Sequence, residues 1–362
     1  MSALEQISSK YLSSKDAKSF AAELKLFLPG GVTSISTILK GIVNKLESID
    51  NKQLLSLADE LNQAGILGIA GLEEETFQIT KEVFNIYVER KDYKSATAFL
   101  SKAPLLKDDF RVDQAERFQT ILNLITAYLE IKQSISCEPL LMKAHELASK
   151  VKDKDLLIQY NYCCGQYYNF NRKFLLSGLR YYAACNIDST TMKPDWIADM
   201  LSKVIDVTIL APTGSKKSFL VANLIKDDRA KSFKNYQLLN KINKEVLISR
   251  EEIDDFCKGL GAHQNIREKD GFTNVEKVFL EHNIIVISKF YRDISIESLA
   301  DRLKIKRNEL ETILQNMKNE EKVSMSIDHL SGFIEFNSNN TNKSITSASL
   351  ATFCFLLDKF QV

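Results

Sequence analysis

Hydrophobic residues recur at helical spacing through the first two-thirds of this 362-residue chain. In one clear stretch, apolar positions follow the period of a helix, about 3.6 residues, from Phe77 to Tyr87. The polar residues at 90–92 interrupt the pattern, and it resumes from Tyr93 to Leu100. The stretch therefore predicts two amphipathic helices joined by a tight turn.

The same pair of helices is predicted three more times along the chain. The residues that close the first helix of each pair lie 41, 40 and 42 residues apart and are Tyr87, Tyr128, Tyr168 and Leu210. A repeat of about 40 residues is typical of HEAT-like helical hairpins. Because one such hairpin cannot bury its apolar face alone, the spacing favours hairpins stacked into a curved solenoid. An irregular helical bundle is the alternative.

The hydrophobic pattern changes after about residue 272. One helix is predicted over 275–290 and a second after Ser295, which is a suitable N-cap. A third helix carries a single apolar stripe, made of Leu310, Ile313, Leu314 and Met317. Alternation with period two over 323–328, a turn at Gly332 and the segment at 333–336 predict a β-hairpin. Three helices followed by a β-hairpin predict a winged helix.

The end of the chain predicts surfaces that need a partner. A polar linker at 338–342 precedes a helical pattern that is apolar on nearly all sides, and such a helix must be covered. In the β-hairpin, an outer strand at 323–328 or 333–336 would offer unpaired backbone groups to a neighbour's strand. The predicted interface residues are Val323, Met325, Ile327, Phe333, Phe336, Leu350, Phe353, Leu357 and Phe360. Together these features predict an obligate subunit of an assembly.

Charge argues against nucleic-acid binding by the predicted winged helix. The whole chain has a formal net charge of +1. Residues 273–337 contain nine Lys or Arg and eleven Asp or Glu, which gives a net charge of −2. Glu309 and Glu311 lie on the face that would enter a major groove, where carboxylates repel phosphate. We expect the winged-helix fold without DNA recognition.

No catalytic or metal-binding motif emerges from the sequence. The segment APTGSKKS at 211–218 resembles a phosphate-binding loop, but Ile209 replaces the first glycine of that motif and Ser215 follows Gly214. We interpret it as a turn between paired helices. The four histidines are far apart, and neither H-x-H nor H-E-x-x-H occurs. We therefore expect no enzymatic activity, no metal and no cofactor.

Cysteine content and hydropathy indicate the cellular compartment of the protein. Six cysteines without a C-x-x-C motif predict reduced, buried thiols of a cytosolic or nuclear protein. The chain contains no run of 18 apolar residues and no apolar stretch of signal-peptide length at its N-terminus. We expect a soluble intracellular protein with no membrane partner.

A helical repeat that runs into a winged helix resembles the PCI family, whose members occur in the proteasome lid, the COP9 signalosome and translation initiation factor three. Short motifs are most similar to the signalosome's subunit 4 family. They are LEHNIIVISKFYRDISIESLADRL at 280–303, TILAPTG and LIKDDRA within 208–230, and Ala262-His263-Gln264. The likeness extends from about Gln159 to the C-terminus and is architectural before that.

This resemblance implies a non-catalytic scaffold subunit of the complex that removes the ubiquitin-like Nedd8 from cullins. Its implied partners are the other PCI and MPN subunits and a cullin-RING ligase, which the helical arm would approach. The winged helix would pair strands with its neighbours, and the C-terminal helix would enter a shared helical bundle. A loop at 259–271 would couple substrate binding to activation through His263, Gln264 and Arg267. Such a complex is expected in the cytoplasm and the nucleus.

The predicted fold is mostly α, with a right-handed-type helical-hairpin repeat solenoid followed by a winged-helix (PCI) domain and a C-terminal helix. Its parts are a helical-repeat arm at 1–190, the helical part of the PCI module at 191–272, the winged helix at 273–337 and a bundle helix at 343–362. Two other functions remain open. One is a PCI scaffold subunit of the proteasome lid, and the other is a nucleic-acid adaptor that uses the winged helix.

Overall fold

A computed structural model describes residue 11 and residues 16–27, 31–46, 49–107, 112–188, 193–267, 271–328 and 330–336. The chain divides into two compact units, residues 1–163 and residues 164–362. The described residues form sixteen α-helices and one three-stranded sheet. The prediction of a mostly helical chain with a small winged-helix sheet is confirmed.

The helices that begin in the first unit alternate between long and short from residue 73 onward. They are α1 (Ala17–Phe27), α2 (Val32–Val43), α3 (Asn51–Gln63), α4 (Glu73–Glu89), α5 (Tyr93–Leu100), α6 (Gln114–Glu130), α7 (Cys137–Ala148) and α8 (Lys154–Phe170). A continuous core joins α1 to α5, with Leu24, Leu39, Leu57 and Val83 among its fully buried residues. Burial of this apolar face is what holds the first unit together.

The second unit contains the remaining helices and the sheet. Its elements are α9 (Phe174–Cys185), α10 (Pro194–Leu210), α11 (Ser215–Lys226), α12 (Tyr236–Asn243), α13 (Arg250–Cys257), α14 (Asn274–Phe290), β1 (Asp293–Ser295), α15 (Ile296–Leu303), α16 (Arg307–Asn319), β2 (Met325–Asp328) and β3 (Phe333–Phe336). Helices α14 to α16 and the three strands enclose one hydrophobic core.

Four helical hairpins follow one plan. Their first helices, α4, α6, α8 and α10, are each 17 residues long. These helices begin at residues 73, 114, 154 and 194, which are 41, 40 and 40 residues apart. The predicted repeat of about 40 residues is therefore confirmed.

A shared turn ends three of these helices. The second residue after each helix, Lys91, Lys132 or Arg172, has a φ of 59°, 60° or 61°. The next amide donates back to a tyrosine carbonyl at 2.9, 2.9 and 2.8 Å, where the acceptors are Tyr87, Tyr128 and Tyr168. This is the Schellman arrangement that commonly ends helices.

The fourth hairpin cannot form this turn because Pro212 occupies the equivalent position. Proline has a φ fixed near −65°, so it cannot adopt the left-handed conformation that this turn requires. The predicted equivalence of Leu210 with the tyrosines is wrong by two residues. Since α10 ends at Leu210 itself, Thr208 is the residue that corresponds to Tyr168.

A glycine sets the distance between α8 and α9. A Cβ added at Gly165 would lie 2.5 Å from two ring atoms of Tyr181, a fully buried side chain. The Ser177 hydroxyl also donates to the Gly165 carbonyl at 2.8 Å across the same contact. The backbones approach closely here because residue 165 has no side chain.

Gly165→Ala is expected to destabilise the chain by about 2 kcal/mol, because overpacking of a buried contact costs roughly 1–3 kcal/mol. Urea unfolding followed by circular dichroism measures the change. Gly68→Ala is the matched control, since a Cβ there meets no atom within 4 Å. A Gly165→Ala chain as stable as that control would show that the helices separate without cost.

The sheet of the winged helix has the order β1-β3-β2, and both pairs are antiparallel. Because β3 lies in the middle, the alternative in which residues 333–336 form the outer strand is wrong. Strand β1 was not predicted, since three residues are too few to show a period of two. Among the described residues, β1 and β2 are the two edge strands of the sheet, so an outer strand at 323–328 agrees with the other alternative.

Candidate functional site

The outer edge of β2 is the first candidate interaction site. The Phe336 amide donates to the Arg292 carbonyl at 2.7 Å, and the Ile296 amide donates to the Gly332 carbonyl at 2.9 Å. Even-numbered residues of β3 therefore direct their backbone groups towards β1. By the alternation of antiparallel pairing, the odd-numbered residues face β2.

The register then fixes which groups of β2 point away from the sheet. Ser326 lies opposite Glu335, and Asp328 lies opposite Phe333, so these two β2 residues bond to β3. The N–H and C=O groups of Met325 and Ile327 point outward instead. Among the residues that the structure describes, no strand lies beyond β2. This edge can accept a strand from another chain.

The side chains of β2 and β3 divide between the core and the surface. Met325 and Phe336 are only 4% and 5% exposed and face each other within the winged-helix core. Their side chains therefore belong to the core, and their interface role stays a prediction to which Met325 can contribute its outward backbone groups. Val323 and Ile327 are half-buried against the same core. Phe333 is 49% exposed and is available for contact.

The turn between β2 and β3 presents a second exposed apolar residue. Asp328 fixes this turn, since its carboxylate accepts bonds from the Leu330 amide at 2.9 Å and the Ser331 hydroxyl at 2.6 Å. Gly332 follows with a φ of 71°. Leu330 is fully exposed at the tip. The tip and Phe333 give the wing an apolar outer surface beside the open edge.

The predicted regulatory loop contacts the last two residues of α8. The Gln264 side chain accepts a bond from the Gly261 amide at 2.9 Å and donates to the Asn169 side chain at 3.0 Å. The ring of His263 stacks on Phe170 at a centroid distance of 5.7 Å. Arg267 is exposed and forms an isolated β-bridge with Thr273. Gln264 and His263 thus anchor the loop, and Arg267 is left at its surface.

Four predicted interface residues lie outside the described residues. They are Leu350, Phe353, Leu357 and Phe360. Their proposed contacts rest on the sequence pattern alone.

Three consecutive residues of α14 join separate parts of the second unit. Glu281 accepts two bonds from Lys322 at 2.8 and 2.9 Å, and the His282 Nε2 lies 2.9 Å from the Val246 carbonyl. Asn283 both accepts from the Ile248 amide and donates to the Ile248 carbonyl, each at 2.9 Å. Burial lowers the pKa of His282. The motif that carries the family resemblance is therefore structural.

Arg229, in the second motif of the resemblance, has a similar role. Its guanidinium bonds to Asp227 at 2.8 Å, to the Cys185 carbonyl at 3.1 Å and to the Asn186 side chain at 3.0 Å. These contacts fasten the end of α11 to the end of α9. Burial also raises the pKa of the Cys185 thiol to about 12, which leaves it protonated and unreactive.

Lys217 supplies hydrogen bonds at the end of α10, where Pro212 prevents the turn that ends the other three helices. Its buried amine donates to the Ile209 and Ala211 carbonyls, each at 2.8 Å, at the end of α10. Burial lowers the pKa of Lys217 to about 7, and the nearby charge of Glu281 opposes this without cancelling it. The lysine of the loop-like segment therefore binds protein carbonyls. Residues 211–214 form the predicted turn between helices, and residues 215–218 are the first turn of α11.

Replacing Lys217 by methionine is expected to change how stability depends on pH. Since the pKa falls from 10.5 in the unfolded chain to about 7 in the folded one, the unfolded state holds one more proton between these values. Raising the pH through this window therefore stabilises the natural chain by up to about 1.4 kcal/mol per pH unit.

Urea unfolding at intervals between pH 7 and pH 10 tests this dependence. The stability of the natural chain minus that of Lys217→Met should rise with pH, because the variant lacks the titrating group. Lys216→Met, at the exposed neighbouring position, should show no such trend. A flat difference for Lys217→Met would mean that the buried amine keeps its proton.

The third winged-helix helix, α16, offers little positive charge to a nucleic acid. Arg307 at its start bonds to Glu311 at 3.0 Å and to Glu297 at 3.4 Å. Carboxylates thus already neutralise the cation that would contact phosphate. In the described part of the chain, no group of histidines, cysteines and carboxylates is placed to hold a metal ion. None of the described helices has both the length and the apolar character needed to cross a membrane.

Comparison with known proteins places both parts of the chain in described families. The family described as "PSMD12/CSN4, N-terminal" matches residues 3–192, and the PCI domain matches residues 242–338. COP9 signalosome complex subunit 4 of Arabidopsis thaliana is 29% identical over 273 residues, which is 74% of this chain and 69% of that protein. The Emericella nidulans protein of the same name is 25% identical, over 86% and 77% of the two chains. The Drosophila melanogaster protein is 27% identical, over 74% and 65%.

Proposed function

Because the chain belongs to the PSMD12/CSN4 family and carries a PCI domain, we propose that it is a non-catalytic scaffold subunit of the COP9 signalosome. The observation that carries the proposal is the open edge of β2, whose outward backbone groups need a partner strand. The curated relatives carry the name of that complex's fourth subunit, which supplies the identity of the assembly.

Each part of the chain has its own role in this proposal. The winged helix at 273–337 pairs its β2 edge with neighbouring PCI subunits, and residues 343–362 enter a helical bundle shared with PCI and MPN subunits. The arm at 1–190 contacts the cullin-RING ligase, and residues 191–272 link the arm to the winged helix. The assembled complex works in the cytoplasm and the nucleus.

The chemistry of the chain favours a non-catalytic role in the removal of Nedd8 from cullins. Two titratable groups whose pKa is lowered by burial are engaged in internal contacts. Lys217 donates to two helix-end carbonyls, and His282 contacts the Val246 carbonyl. Neither group is available to a substrate. The isopeptidase activity then belongs to another subunit, and the purified chain should not cleave Nedd8–cullin conjugates.

We expect the loop at 259–271 to transmit substrate binding to the catalytic subunits. Exchanging residues 259–267 for a Gly-Ser sequence removes the Gln264 and His263 anchors and should slow cullin deneddylation by the assembled complex several-fold. Asn265→Ser, an exposed change in the same loop, is the control. Unchanged deneddylation after the full exchange would exclude a regulatory role for the loop.

Affinity capture of the tagged chain from its native cells tests the proposed identity. The expected companions are the PCI and MPN subunits of the signalosome, recovered in equal amounts. Recovery of proteasome-lid subunits instead would support the other scaffold function. Recovery of no companions would contradict both.

A further inference from the structure

An apolar groove lies beside the open end of the winged helix. Its wall and floor come from the segment before α13, from the end of α14 and from α15, and the apolar lining residues are Leu247, Ile248, Ile287, Phe290, Tyr291 and Leu303. The cavity has a volume of about 690 Å³. Arg302 lies at its rim, with its guanidinium 5.2 Å from the centre of the Tyr291 ring. The groove is large enough for several side chains of a bound segment.

Two large apolar residues that line the groove are strongly exposed. Phe290 is 78% exposed and Leu247 is 50% exposed, although both are large and apolar. The deeper residues Ile248 and Ile287 are buried at 4% and 5%. The groove therefore has a well-packed floor and an uncovered apolar rim, which is typical of a surface that receives another segment.

The chain itself leaves the sheet at the mouth of this groove. The last described residue, Phe336, donates its amide to the Arg292 carbonyl at 2.7 Å. Arg292 directly follows Phe290 and Tyr291, which line the groove. Whatever follows Phe336 in the chain thus starts within a few residues of the uncovered rim.

The sequence after Phe336 matches the groove in length and chemistry. Residues 337–343 are polar, and at about 3.3 Å per residue they can reach roughly 23 Å. Residues 344–357 contain no charged side chain, and their apolar members include Leu350, Phe353, Phe355 and Leu357. An uncharged apolar segment on a short tether is suited to a groove whose lining is apolar apart from Asn283 and Arg302.

We propose that residues 344–357 dock in this groove in the free subunit and leave it when partner subunits bind. The short tether gives the segment an effective concentration in the millimolar range at the groove, which favours it over a second copy of the chain. The groove thereby shields an apolar segment that would otherwise promote aggregation before assembly. This inference concerns the free chain, whereas the scaffold function concerns the assembled complex.

Site-specific photo-crosslinking of the purified full chain tests the docking. A benzoylphenylalanine is introduced at Leu247, and a 1:1 mixture of ¹⁵N-labelled and unlabelled chains is irradiated and analysed by mass spectrometry. Crosslinks are expected to peptides within 344–362 of the same chain. The same group at Leu330, which is fully exposed at the wing tip, should give at least tenfold fewer such crosslinks.

Hydrogen exchange provides a second measurement on the same protein. Phe290→Asp should speed amide exchange in residues 344–357 at least tenfold, and Leu330→Asp should leave it unchanged. Equal crosslinking from positions 247 and 330, or crosslinks mainly between labelled and unlabelled chains, would overturn the proposal. Tail exchange that does not respond to Phe290→Asp would also overturn it. None of these outcomes bears on companion capture, so failure here is distinct from failure of the scaffold function.

Discussion

A chain in which Ile327 is replaced by proline is expected to fold and to lose its place in the complex. The Ile327 N–H points away from the sheet, so proline removes no bond between β2 and β3. Proline is tolerated on edge strands for this reason. A strand that pairs with β2 would lose the Ile327 donor and meet the proline ring. We expect affinity for the neighbouring subunit to fall at least tenfold, measured by co-purification from co-expressing cells.

Two variants separate the backbone effect from other consequences of the change. Ile327→Ala shortens the same half-buried side chain and keeps the N–H, so it should assemble normally. Ser326→Pro removes an N–H that faces β3 and should destabilise the free winged helix itself. Normal assembly of Ile327→Pro would mean that β2 pairs with no other strand. Equal losses for Ile327→Pro and Ile327→Ala would point to a side-chain contact instead.

Removal of residues 343–362 is expected to abolish the capture of all companion subunits, which is the second large effect. Covering about 500 Å² of this apolar segment would contribute on the order of 12 kcal/mol of transfer free energy before the costs of association. The chain that ends at residue 342 keeps every described residue of the winged-helix core. Slow amide exchange at Ser326 and Asp328, which bond to β3, should therefore persist in the free truncated chain.

A linker variant provides the control for this truncation. Replacing residues 338–342 with a Gly-Ser sequence of equal length keeps the apolar segment and its tether, so companions should be recovered in full. Capture of the same companions by the truncated chain would show that the C-terminal segment makes no essential contact.

The repeat was predictable because a tyrosine recurs near the end of three of the first helices. Tyr87, Tyr128 and Tyr168 each supply the carbonyl that closes the same turn, so their spacing follows the hairpin length. The fourth hairpin broke the pattern for a local reason, since Pro212 cannot adopt the conformation of that turn. The compensating partner, Lys217, lies on the next helix, and only the folded structure brings it to the free carbonyls.

The order of the sheet was not predictable from the pattern of the hairpin. Both β2 and β3 show the same alternation, and the strand that decides between them, β1, has only three residues. The buried state of Met325 and Phe336 follows from this same alternation once the core face is known. The sequence pattern therefore predicted β2 and β3 without β1, and it does not reveal which backbone groups stay open.

The motifs that carry the family resemblance turn out to maintain the fold. Glu281, His282 and Asn283 tie α14 to Lys322 and to the segment at 246–248, and Gln264 ties its loop to Asn169 near the end of α8. The proposed contact with other subunits uses main-chain groups of β2, which any residue except proline provides. A scaffold can thus be identified through its packing residues while its interface leaves little trace in the sequence.

Residue-resolved amide hydrogen exchange in β2, compared between the free chain and the captured complex, tests the central claim most directly. Ser326 and Asp328 bond to β3 and should exchange slowly in both states. Met325 and Ile327 point outward and should exchange rapidly in the free chain and at least a hundredfold more slowly in the complex. Equal exchange of Met325 and Ile327 in the two states would contradict the claim that another chain completes this sheet.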